Sequence, residues 1–177
     1  MDFKKRLFFI GLRACGKTTV GKAVADKLNV AFYDLDDFIV QRAGKSIKEI
    51  VYEAGWDKFR SLERDALEYF FSLSPPFILA CGGGAVLHKD TWSQRRSKDD
   101  VVIWLDASID EMVKRILNDS KSGEQRPCLK DGLSLKDEIK KVRQERFSLY
   151  KELADIVIVT DSLDIKKIRD KVLESIL

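Results

Sequence analysis

Residues 11–18 read GLRACGKT: a glycine, four residues, a second glycine, a lysine and a threonine. This is the spacing of a phosphate-cradling loop, and its surroundings restrict the fold more than any other stretch does. The preceding run RLFFIG, residues 6–11, predicts a buried strand. In the following TVGKAVADKL, Val20, Ala23, Val24 and Leu28 recur at helical spacing. Between a strand and a helix, such a loop points its backbone N–H groups at phosphate oxygens, and the helix start adds the positive end of its dipole. Lys17 is then placed to reach the β- and γ-phosphates of a nucleotide, and Thr18 to ligate Mg²⁺.

The same rhythm continues down the chain. AFYDLD (31–36), FILACGGG (77–84), VVIWLD (101–106) and DIVIVTD (155–161) are further strand candidates, apolar rather than alternating, which predicts that both faces are covered. DDFIVQRAG predicts a short helix closed by Gly44, with Asp37 as its cap. Ser46 and Glu49 form a capping box before a turn of helix that Gly55 ends. A longer amphipathic helix then runs to Ser74, where Pro75 and Pro76 stop it. Ser108 with Glu111 caps another helix, residues 134–153 give one more, and Ile165 to Leu177 gives the last. Strands alternating with helices predict an α/β fold with a parallel sheet and right-handed crossovers.

With 177 residues and neither a linker nor a repeat, residues 1–177 are expected to form a single domain, burying about 70% of the unfolded surface. A net charge of +3 with 45% apolar residues argues against disorder and against a nucleic-acid binder. The apolar run after Lys4, Lys5 and Arg6 stops at Arg13, too short for a secretory signal or a membrane span, so a cytoplasmic protein without membrane contact is expected. Three widely spaced cysteines, Cys15, Cys81 and Cys128, fit neither a disulfide framework nor metal ligation. No exposed heptad or apolar stripe stands out, and a monomer is expected. His88, the only histidine, reads as a surface residue at a helix start.

Asp34 and Asp36 alternate to one face at the end of the second strand, the edge at which ligands bind in open parallel sheets. They are either helix-start acids or, respectively, a metal contact and the acceptor of a proton from a substrate hydroxyl. Arg60 and Glu63 are either a surface ion pair or an arginine aimed by its carboxylate at an anionic substrate group, and Arg146 carries the same ambiguity. Gly82, Gly83 and Gly84 follow a buried strand, where missing side chains permit close approach of a ligand. Polar residues 118–132 break the rhythm and predict a flap, within which Arg126 is either a solvated loop arginine or one suited to neutralise charge on a phosphoryl group.

Taken in order, GLRACGKTT, DLD, GWDKFRSLE, CGGGAV, RPCL and ERFSLYKELA resemble the shikimate kinase family, from about residue 6 to 160. The resemblance implies a three-layer P-loop NTPase fold of the nucleoside monophosphate kinase type, with five parallel strands and a mobile lid around 118–132. It implies phosphorylation of the 3-hydroxyl of shikimate, with ATP as co-substrate and Mg²⁺ as cofactor, in the chorismate route to aromatic amino acids. By position, Gly11, Arg13, Ala14, Cys15, Gly16, Lys17, Thr18 and Thr19 would bind ATP, with Arg115 against adenine and Arg126 on the phosphates. Thr18 and Asp34 would hold the metal. Asp36, Arg60, Gly82, Gly83, Gly84 and Arg146 would bind shikimate, and Lys17, Asp36 and Arg126 would carry catalysis.

Three residues depart from the family pattern. Ala14 replaces a glycine of the phosphate loop, Trp56 an acid before DKFR, and Cys128 a leucine of the lid. A left-handed backbone at Ala14 would cost about 1–2 kcal/mol; the expectation is a geometry that a small residue adopts, with the cradle's N–H groups intact. A gluconate kinase or another small-molecule kinase of this fold is the rival reading, and FRSLE with CGGGAV speaks against it.

Overall fold

The computed structural model describes residues 3–119 and 132–176. Its centre is a five-stranded sheet in the order β2-β3-β1-β4-β5, formed by β1 (Arg6–Ile10), β2 (Ala31–Asp34), β3 (Phe77–Ala80), β4 (Val101–Asp106) and β5 (Ile156–Val159). Every neighbouring pair is parallel, so each connection crosses back through helix. The helices are α1 (Lys17–Leu28), α2 (Leu35–Ala43), α3 (Ile47–Ser72), α4 (Lys89–Arg95), α5 (Ile109–Asn118), α6 (Leu135–Leu153) and α7 (Ile165–Ile176).

The central strands explain why their sequences do not alternate. Leu7 and Phe9 enter the core beneath α1 and α7, while Phe8 and Ile10 enter the one beneath α2, α3 and α6. Both sets are apolar because both faces are covered. The edge strands depart from this expectation: alternate residues of β2 and β5 reach solvent, Val157 and Val159 among them.

Capping chemistry sets the helix boundaries near the site. Ser46 accepts from the Glu49 N–H, and the Glu49 carboxylate accepts from the Ser46 N–H, which starts α3. Gly55, at φ 77° and ψ 171°, breaks α3 into two segments, and the second ends at Ser72 rather than Ser74. Gly44 closes α2 in the left-handed region. The cap of α2 is Asp34, not Asp37: its carboxylate accepts from the Asp36 and Asp37 N–H groups. Asp37 lies inside the first turn, too late to cap it. Because all strands run one way, the phosphate loop, the carboxylates after β2 and the glycines after β3 gather at one edge of the sheet.

Candidate active site

The phosphate loop is moulded onto the sheet. At Gly11, with φ 140°, a Cβ would meet the Leu105 carbonyl at 2.3 Å and Cys15 Sγ at 2.7 Å. Ala14 takes φ 61° and Gly16 φ 99°, so a residue with a side chain does occupy the left-handed region. The carbonyl of Ala14 is held from outside, where Arg115 on α5 donates to it at 3.1 Å and to the Thr160 carbonyl at 2.9 Å. Lys17 is buried, and its ammonium folds back over the loop to donate to the Gly11 and Leu12 carbonyls at 2.9 and 2.7 Å. Cys15 and Cys81 are buried; burial pushes the Cys81 thiol well up, which leaves it inert packing.

Beside the loop, the Thr18 hydroxyl donates to Asp34 Oδ2 at 2.7 Å, while Asp34 Oδ1 accepts from the Asp36 N–H at 3.0 Å. One carboxylate therefore caps α2 and faces the start of α1. Two hard oxygen donors converge here, the chemistry that Mg²⁺ takes when phosphates and waters complete its shell. Among the described residues there is no cluster of three or more His, Cys, Asp or Glu that could hold a metal ion.

Deeper in the cleft, the glycine triplet forms a floor. None of the three has a positive φ; the reason for glycine is space. A Cβ at Gly82 would lie 2.8 Å from both Asp36 Oδ1 and Glu63 Oε1, and one at Gly84 would lie 1.8 Å from Arg60 Nη1. At Gly83 the nearest atom is 3.5 Å away, an ordinary contact. Its carbonyl is what matters there, accepting from Arg146 Nη1 at 2.9 Å and from the Tyr150 hydroxyl at 2.6 Å. Arg60 rests on the Trp56 and Phe59 rings, 5.3 Å from each, and donates to Glu63 Oε2 at 2.6 Å. Trp56 thus supplies an aromatic wall in place of a polar group.

The electrostatics suit an anion. Burial of Glu63 works to raise its carboxyl, but the His88 hydrogen bond and the charge and hydrogen bond of Arg60 outweigh it and hold the group below its ordinary value. Burial draws the Arg146 guanidinium below its own ordinary value, with nearby Arg60 adding to the effect and Tyr150 opposing it. Two guanidinium groups lining one pocket, Arg60 and Arg146, have the planar fork geometry that can grip a carboxylate bidentately.

Asp36, Arg60, Arg146 and Gly82 to Gly84 come together as the sequence suggests. Arg13, expected on ATP, lines the same pocket as Arg60 and Arg146, with its Nη2 3.1 Å from Glu138 Oε1. His88 is not a free surface residue: its Nε2 lies 3.0 Å from Glu63 Oε2. Glu138, Tyr150 and Thr160 carry no local sequence signal, because only the packing of α6 and of the segment after β5 brings them to the loop and the glycines. Arg126 and Cys128 lie outside the described residues.

A phosphate loop opening onto a pocket with a buried carboxylate and a pair of arginines defines the class, an ATP-dependent kinase for a small molecule. Comparison with known proteins gives the family. The sequence profile of shikimate kinase matches residues 13–177. The shikimate kinase of Dictyoglomus turgidum is 34% identical over 171 residues, 97% of this chain and 96% of the relative. The structure of the Acinetobacter baumannii shikimate kinase in complex with shikimate superposes with a TM-score of 0.87 at 26% identity, covering 99% of this chain and 94% of that one. A gluconokinase from Sinorhizobium meliloti superposes at a TM-score of 0.62 with 14% identity, a likeness of fold alone. The chain belongs to the shikimate kinase family.

Proposed function

We propose that the residues of this cleft transfer the γ-phosphoryl group of ATP to the 3-hydroxyl of shikimate in the following way. Loop N–H groups from Gly11 to Thr19 cradle the phosphates, and Lys17 leaves its resting carbonyl contacts to bind the β- and γ-oxygens. Thr18 and Asp34 would hold Mg²⁺, which would supply neutralisation of phosphate charge when bound. Arg60 and Arg146 grip the shikimate carboxylate, Gly82 to Gly84 let the ring approach the floor, and Asp36 orients the reacting hydroxyl and accepts its proton. Arg115 braces the loop from the adenine side, and Arg126 acts from the lid. The acceptor binds as one molecule to one chain, in a single-domain cytoplasmic monomer.

The observation that supports this reading is the meeting of Asp36, Arg60 and Arg146 over one glycine floor beside the phosphate loop. Shikimate offers one carboxylate and three hydroxyls, and this pocket offers arginines for the first and carboxylate with backbone for the others. A coupled assay of ADP formation with shikimate, gluconate and nucleoside monophosphates as acceptors tests it. Turnover with shikimate alone is expected. Arg60→Ala should raise the shikimate KM about tenfold or more, and Asp36→Asn should lower kcat about 100-fold or more. ADP release that responds to gluconate and not to shikimate would overturn the reading.

A further inference from the structure

The scheme above uses Arg60 but leaves out His88, the only histidine of the chain. Its Nε2 and Arg60 Nη1 meet the same oxygen, Glu63 Oε2, at 3.0 and 2.6 Å. The Glu63 side chain is 1% exposed and that of His88 11%. Glu63 Oε1 has no hydrogen-bond partner among the described residues. A buried carboxylate with one bare oxygen keeps its orientation only through the groups on the other. An ionised carboxylate can only accept, so the proton in the histidine contact is carried on Nε2.

The two partners of Glu63 come from different parts of the chain. Arg60 lies one turn back on α3, whereas His88 follows the glycine triplet and the short 3₁₀ turn Ala85–Leu87 at the start of α4. The histidine bond therefore ties α3 to the segment whose Gly84 lies against the Arg60 guanidinium. Without it, Glu63 retains Arg60 alone, and the pair is free to shift together over Gly82 and Gly84.

We propose that His88 is a positioning residue for the acceptor: through Glu63 it fixes the Arg60 guanidinium against Gly84 in the orientation that takes the acceptor's carboxylate. This rests on the reading of Arg60 as a carboxylate ligand. The nucleotide side is untouched, because Lys17, Thr18 and Arg115 have no hydrogen bond to these three groups.

Steady-state kinetics of the full chain, with shikimate and its uncharged carboxamide as acceptors, test the proposal. His88→Ala should raise the shikimate KM about tenfold, with kcat and the ATP KM within about twofold, and should narrow the preference for the acid over the amide. His88→Phe, which keeps the ring's bulk without a donor, should do the same. His88→Gln, with an amide N–H at similar reach, should restore most of the loss. In an Arg60→Ala background, removing His88 should add little, since the two act on one contact. An unchanged shikimate KM in His88→Phe would overturn the proposal, and so would equal losses in both KM values that Gln fails to rescue. If Arg60→Ala itself leaves the shikimate KM unchanged, the carboxylate reading falls first and takes this proposal with it.

Discussion

Ala14 sits at φ 61°, where an L-residue brings its Cβ against the following carbonyl oxygen. The strain is about 1–2 kcal/mol, but glycine at this position would also leave the unfolded chain more entropy to lose, by about 0.4–1 kcal/mol. Ala14→Gly should therefore change stability by less than about 1 kcal/mol in urea titration and leave the ATP KM within about threefold. A hundredfold gain in ATP affinity would show that the alanine cradle is defective. The glycine floor makes a sharper contrast. Gly84→Ala puts a methyl where Arg60 Nη1 now lies and should raise the shikimate KM at least about tenfold, while Gly83→Ala meets nothing closer than 3.5 Å and should stay within about threefold. The triplet's position was legible in the sequence; which two glycines are obligatory was not, because the crowding atoms belong to residues 60, 63 and 36.

At the scale of elements, α3 carries both a buried apolar face and the Arg60–Glu63 pair. Its capping box, its break at Gly55 and its apolar face are readable from residue types and spacing, because each is set by neighbours within a few positions. The polar contact on its inner face is not. Glu63 is paired from 25 residues away by His88, and that hydrogen bond together with the charge and hydrogen bond of Arg60 outweighs burial and keeps the carboxyl below its ordinary value of 4.5. A carboxyl with a lowered folded-state value contributes stability that is present above its unfolded value and lost as pH falls through the folded one. Glu63→Gln should thus be less stable than the parent at pH 7, and the difference should shrink as pH falls below the ordinary carboxyl value of 4.5, in denaturation midpoints measured across that range. A gap that stays constant with pH would mean that Glu63 acts by packing and not by charge.

Across the whole molecule, the edge of the sheet opposite the site is locked by one buried pair. Arg6 Nε and Nη2 donate to the two Asp100 oxygens at 2.6 and 2.8 Å, and Nη1 donates to the Phe71 carbonyl at 2.6 Å, which joins β1, the end of α3 and the turn before β4. Asp100→Ala would strand a buried guanidinium and should cost about 3–5 kcal/mol, with shikimate and ATP KM values unchanged in the folded fraction. Arg6 looked like part of a charged start to the chain, since nothing local announces a partner 94 residues on. By itself the sequence determined the parallel α/β layering, the phosphate loop and the carboxylate, arginine and glycine sets, because periodicity, caps and loop spacing are written in short windows. Tertiary structure decided what those residues do to one another. Only the packing of the strands and helices set Arg13 on the pocket of Arg60 and Arg146, put Glu138 and Tyr150 on the loop and the glycines, and set His88 against Glu63, since contacts between distant segments depend on how elements stack and not on what lies beside them in the chain.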